Sequence, residues 1–162
     1  MAGYGTDQDF STWLSDQGLT LPTGSPPAVV LRQRGSDYVD STYEPQLQCS
    51  SRTGGWDQER AWPRAGHTVG GTPVTGIPRP WVLASYRAAW LEASNPGWAS
   101  GSIDPTRKTK REKVDVIERE FFGPGETGGD DLLGMGNVDA QIQNMVSPFF
   151  CAGSPSPRFF VI

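Results

Sequence analysis

The 162-residue sequence is short of the residues that carry most enzyme chemistry: it has one histidine, His67, and two cysteines, Cys49 and Cys151. Nucleophilic catalysis needs a nucleophile, a base and usually an orienting group. A lone histidine in a glycine-rich loop, with no Gly-x-Ser-x-Gly elbow anywhere, does not supply that arrangement. Adjacent acids occur at Asp130 and Asp131, but in a glycine-rich loop they serve to solvate it. No catalytic residue is assigned, and the chain reads as a non-enzyme. A zinc site needs Cys and His clustered at short spacing; that pattern is missing too, so no metal and no cofactor is expected. Two distant cysteines allow a single disulfide but not the framework of a small secreted domain. The opening MAGYGTDQDF has neither a basic nor an apolar region, so no signal peptide is expected, and a reducing cytosol is. No apolar run approaches the roughly 18 residues of a membrane span, so no membrane partner is expected. Positive charge is also scarce: 14 Lys and Arg stand against 18 Asp and Glu. The balance argues against a general nucleic-acid binder and leaves room for a local basic patch.

In excess are glycine and proline, 20 and 14 residues, beside a hydrophobic fraction of only 36%. Their sum is well above the ordinary share of roughly 12%. The length suits one domain, with a modest core, long loops and further burial supplied by partner chains. A mainly α fold is expected: a small bundle of about four helices, one short extended segment and an extended C-terminal tail. The first helix spans 7–17, capped by Thr6 with Asp9 three residues on, with Phe10, Trp13 and Leu14 on one face and Gly18 as its stop. The second spans 26–43, with Pro26 and Pro27 in its first turn and Gly35 marking close packing against another helix. The third spans 78–94, with Val82, Tyr86, Ala89, Trp90 and Ala93 on its apolar stripe. A last helix spans 138–146, capped by Asn137, with Val138, Ile142, Met145 and Val146 on one face. Residues 1–150 form the domain, with a long loop at 45–77 and a flexible one at 123–137; residues 151–162 form a docking tail.

Three segments invite a functional reading. Trp62-Pro63-Arg64 lies in the long loop, where Trp56 and Trp62 are expected to pack down. Nothing nearby supplies chemistry, so the triplet reads as a structural clamp in which Trp62 buries its ring and Arg64 reaches an acid or the carbonyl end of a helix, with Asp37 or Asp40 as the candidate acids. The cluster Arg107, Lys108, Lys110 and Arg111 offers inter-subunit or phosphate contacts, without interleaved aromatics for base stacking. The apolar ending Arg158, Phe159, Phe160, Val161 and Ile162, together with Val114, Val116, Ile117 and Phe121 of an extended segment at 113–122, offers partner docking. GPGETGGDD superficially suggests a phosphate loop, but Gly128 is followed by Gly129 and Asp130 where lysine and a hydroxyl residue are needed, so no nucleotide site is assigned.

In order along the chain come YGTDQDFSTWLSDQGLTLP, RGSDYVDSTY, WPRAG, GIPRPWVLASYRAAWLEA and KREKVDVIEREF. This set resembles the phage family labelled DnaT-like single-stranded-DNA-binding protein, over roughly residues 3–122. The resemblance extends to head-tail connector (adaptor) proteins of tailed phages. It implies a structural virion protein: a homo-oligomeric ring, twelve-membered by the resemblance, at the neck of the portal vertex. The ring would be assembled in the host bacterial cytoplasm, between portal protein and a tail terminator or other neck protein. Double-stranded DNA would pass through it during ejection without specific contact. The alternative is the family label itself, single-stranded DNA binding in a phage replication or packaging system, with Arg107, Lys108, Lys110 and Arg111 on the phosphates.

Overall fold

The computed structural model describes residues 2–100 and 138–152, and the backbone of Glu112–Val114 and Ile117–Arg119. Four α-helices, α1 (Asp7–Asp16), α2 (Ala28–Tyr43), α3 (Arg79–Ser94) and α4 (Ala140–Val146), carry the architecture. The mainly α expectation holds. Each helix starts or stops within two residues of where its sequence signals place it. Thr6 caps α1, its hydroxyl oxygen accepting from the Asp9 amide at 3.1 Å. Gly18, at φ 65°, ends it, and its own amide and that of Leu19 turn back onto the Ser15 and Leu14 carbonyls. The cap of α4 is Asp139, not Asn137, its carboxylate accepting from Gln141 and Ile142 amides. That shift leaves Val138 exposed, off the buried face of Ile142 and Val146.

The α2–α3 pair is the frame. Their contact is made by small residues: Ser36 on α2, and Ala84, Ser85, Ala88 and Ala89 on α3, are all wholly buried. A Cβ added at Gly35 would sit 2.2 Å from the Ser85 carbonyl oxygen and 2.6 Å from the Ala89 amide nitrogen, so only glycine permits this approach. One half of the core, around Phe10, Leu14, Leu31 and Tyr86, seals α1 onto the pair. The other, around Tyr38, Tyr43, Trp62 and Trp81, takes up α4. Residues 2–5 strap across α2: the Tyr4 amide donates to Ser36, and Arg32 donates to the carbonyls of Gly3, Tyr4 and Gly5.

Residues 45–77 are more ordered than their lack of periodicity suggests. A 3-10 turn, Glu44–Leu47, leads into β1 (Ser51–Arg52), which pairs antiparallel with β2 (Arg64–Ala65); a second 3-10 turn, Gly55–Asp57, lies between them. A small hairpin joins β3 (Thr68–Val69) to β4 (Thr72–Pro73). The extended segment expected at 113–122 overlaps β5 (Glu112–Val114) and contains β6 (Ile117–Arg119), paired antiparallel with Val114 opposite Ile117. Val116 and Phe121 lie outside the described residues, as do Arg158, Phe159, Phe160, Val161 and Ile162.

Candidate functional site

The loop between α2 and α3 brings the most varied chemistry together. Glu44, on the first 3-10 turn, receives Arg52 through both carboxylate oxygens and Arg64 at 3.1 Å. Burial opposes the Glu44 charge, but the Arg52 hydrogen bond and charge, reinforced by Arg64, hold its carboxyl below the usual range. Arg64 also donates to Ser50 Oγ at 2.8 Å and to the carbonyls of Leu47, Ser50 and Ala61. It is therefore a buried pin. Arg64 thus reaches an acid and the carbonyl end of a turn, but the acid is Glu44; the candidates Asp37 and Asp40 are instead taken by Arg60, at 2.7 and 3.4 Å, because Arg60 is the arginine that faces α2. Asp40 lies deeper still, accepting from the Tyr4 hydroxyl, the Trp81 indole and the Ala61 amide. Burial raises its pKa, against the pull of those donors.

Trp62 is joined to Pro63 by a cis peptide bond and is 1% exposed. Its ring meets Trp81 and Phe149 edge-on at 5.9 Å and His67 at 4.9 Å. Trp62 and Arg64 are both buried, on either side of Pro63. Trp56 does the reverse of what was expected: it stands fully exposed on the 3-10 turn Gly55–Asp57. The turn under it is held by Gln58, whose amide oxygen accepts from Gly54 N and Thr53 Oγ1 while its nitrogen donates to the Arg60 and Pro63 carbonyls. A hydrogen-bonded turn presenting a fully exposed indole occurs once among the described residues.

Spacing analysis misses a second grouping. Cys49 and Cys151 meet in a disulfide with Cα atoms 5.7 Å apart, and His67 Nδ1 stands 3.9 Å from Cys49 Sγ. The ring is 2% exposed, and burial, then the nearby Arg64 charge, push its pKa down. Separations of 18 and 102 residues hide this cluster from any local motif.

The described surface offers little to phosphate. Of the seven arginines between residues 2 and 100, six are in ion pairs: Arg32, Arg34, Arg52, Arg60, Arg64 and Arg87. Arg79 shares a groove of about 430 Å³ with Asp9 and Asp16, whose carboxylates repel phosphate. The basic residues Arg107, Lys108, Lys110 and Arg111 lie outside the described residues.

A family described as "Putative DnaT-like ssDNA binding protein" matches residues 2–159. No curated protein and no solved structure matches the chain. This overturns the connector expectation. The family match spans nearly the whole chain and carries a single-stranded-DNA-binding description, and nothing found supports a portal, neck or ring assignment.

Proposed function

Because the chain belongs to the DnaT-like single-stranded-DNA-binding family, we propose that it binds single-stranded DNA, as a binding protein without catalysis of its own. The observation that carries this reading is the family match over residues 2–159. Two features support a division of labour. The arginines of residues 2–100 are almost all committed to carboxylates, so phosphate contact falls to the RKTKREK segment, where Arg107, Lys108, Lys110, Arg111 and Lys113 supply five cations in seven residues. Base contact falls to Trp56, since an exposed indole stacks on any base and confers little sequence preference. The overall negative charge then limits binding to this stripe and favours a weak, salt-sensitive interaction.

Fluorescence anisotropy with a labelled oligo-dT at several salt concentrations tests the reading. Each phosphate contact with a single strand contributes about −0.7 to the slope of log K against log salt. Replacing Arg107, Lys108, Lys110 and Arg111 with glutamine should flatten the slope by about 3. Trp56→Ala should weaken binding by about 1–3 kcal/mol and leave the slope intact. A wild-type chain that fails to bind the oligonucleotide even at low salt sinks the proposal.

A further inference from the structure

The grouping of Cys49, His67 and Cys151 has a use beyond the disulfide. We infer that in the reduced protein these three side chains form a binding site for a thiophilic divalent cation of the zinc class, so that metal and disulfide are alternative staples at one place. The ligand atoms, two sulfurs and one imidazole nitrogen, lie within 4.8 Å of one another. Around tetrahedral zinc, with Zn–S near 2.3 Å and Zn–N near 2.0 Å, neighbouring ligand atoms stand about 3.5–3.8 Å apart. His67 Nδ1 and Cys49 Sγ, at 3.9 Å, stand within about half an ångström of that spacing. The two sulfurs must separate and Cys151 Sγ, within 4.8 Å of the ring, must settle at the same spacing from the imidazole; Cys49 has room to move because it is exposed. The same exposure admits water as a fourth ligand.

The surroundings suit the donors. His67 brings an imidazole nitrogen, which ligates metal in its neutral form. Ser50 Oγ, 2.8 Å from Nδ1, can surrender that contact because it also reaches the Leu47 carbonyl at 3.1 Å. The Arg64 guanidinium, fixed on Ser50 by its Nε, adds the positive field that favours thiolates. Two thiolates and an imidazole neutralise a dication, so the site gains no net charge. The conversion balances. A dithiol opens the disulfide by exchange, its two electrons passing to Cys49 and Cys151 as the dithiol closes on itself. The cation then displaces one proton from each thiol.

The staple matters because of what it joins. Cys49 follows the 3-10 turn Glu44–Leu47, and Cys151 follows α4, with its amide donating to the Gln46 carbonyl at 2.9 Å. A metal there keeps the C-terminal segment attached where a disulfide is reduced.

Cobalt is the probe. The full-length chain, reduced anaerobically with a phosphine and titrated with Co²⁺, should develop near-ultraviolet sulfur-to-cobalt charge transfer and the visible bands of a tetrahedral site. These should saturate at one equivalent and be abolished by Zn²⁺, and the oxidised chain should show neither. Cys49→Ser should lose the charge-transfer intensity of one thiolate and bind at least tenfold more weakly, as should His67→Gln. Absence of charge transfer in the reduced wild type, or unchanged binding in either variant, overturns the inference. If His67→Gln fails to fold, Cys49→Ser, at an exposed position, decides alone by the same criterion.

Discussion

Trp62 closes the half of the core that receives α4, and its ring edges on Trp81, Phe149 and His67 leave no solvent path. Trp62→Ala should cost about 3–5 kcal/mol, because the surrounding rings are too stiff to fill the void; chemical denaturation gives the value, and a change below 1 kcal/mol would mean the ring is not buried. His67, beside it, makes stability depend on pH. In the unfolded chain the imidazole protonates near its ordinary 6.5, whereas burial and Arg64 hold the folded value lower. The unfolded state therefore binds the proton first. The His67 contribution is complete above about pH 6.5 and is lost as pH falls through the lower folded value. Unfolding midpoints measured from pH 7.5 to 5 should decline, and His67→Gln should remove that part of the decline. The burial of Trp62 was legible from its place before Pro63 in an aromatic-bearing loop. The partner of Arg64 was not: three arginines, Arg52, Arg60 and Arg64, share one loop, and only the turn of the chain decides which faces Glu44 and which faces Asp40.

At the scale of elements, the helices answer to local rules and their packing to a few small residues. Gly35→Ala should push α2 from α3, since the new methyl would meet backbone atoms of Ser85 and Ala89 rather than a flexible side chain. The expected loss is about 1–3 kcal/mol or more, the range of overpacking, read by thermal melting. A gain from the higher helix propensity of alanine would show that the helices separate freely. Helix α4 has seven residues, too few to stand alone. Asp139 fixes it twice, as its cap and through two contacts with Arg87 at 2.9 and 3.0 Å. Partial burial opposes the charge of Asp139, but the Arg87 hydrogen bond, helped by the capped amides, brings its pKa below 3.8. A lowered carboxylate stabilises above its ordinary value and loses that contribution as pH falls through the folded one. Asp139→Ala should therefore release α4 already at neutral pH, seen as faster hydrogen exchange at Ile142 and Val146 amides; unchanged protection would show that the apolar face alone holds the helix. Apolar spacing marks α4, yet it does not separate Asn137 from Asp139 as its cap, since both are good capping residues. What selects Asp139 is Arg87, 52 residues away.

For the whole molecule, binding is expected to separate into an electrostatic part, outside residues 2–100, and a stacking part at Trp56. The two respond differently to salt, so the oligonucleotide titrations distinguish them in a single series. The sequence by itself determined the mainly α class, the places where helices begin and stop, the glycine at the α2–α3 contact and the family. The helix class and the helix ends rest on residues within a few positions of one another, where periodicity, capping and chain stiffness act; the family rests on the order of short motifs along the chain. Tertiary structure alone decided that Trp56, six residues before the buried Trp62, is bare. It also paired Arg60 with Asp40 and brought Cys49, His67 and Cys151 together. Those outcomes depend on how loops close over tens of residues, where side chains with equal local credentials compete and only packing in three dimensions selects among them.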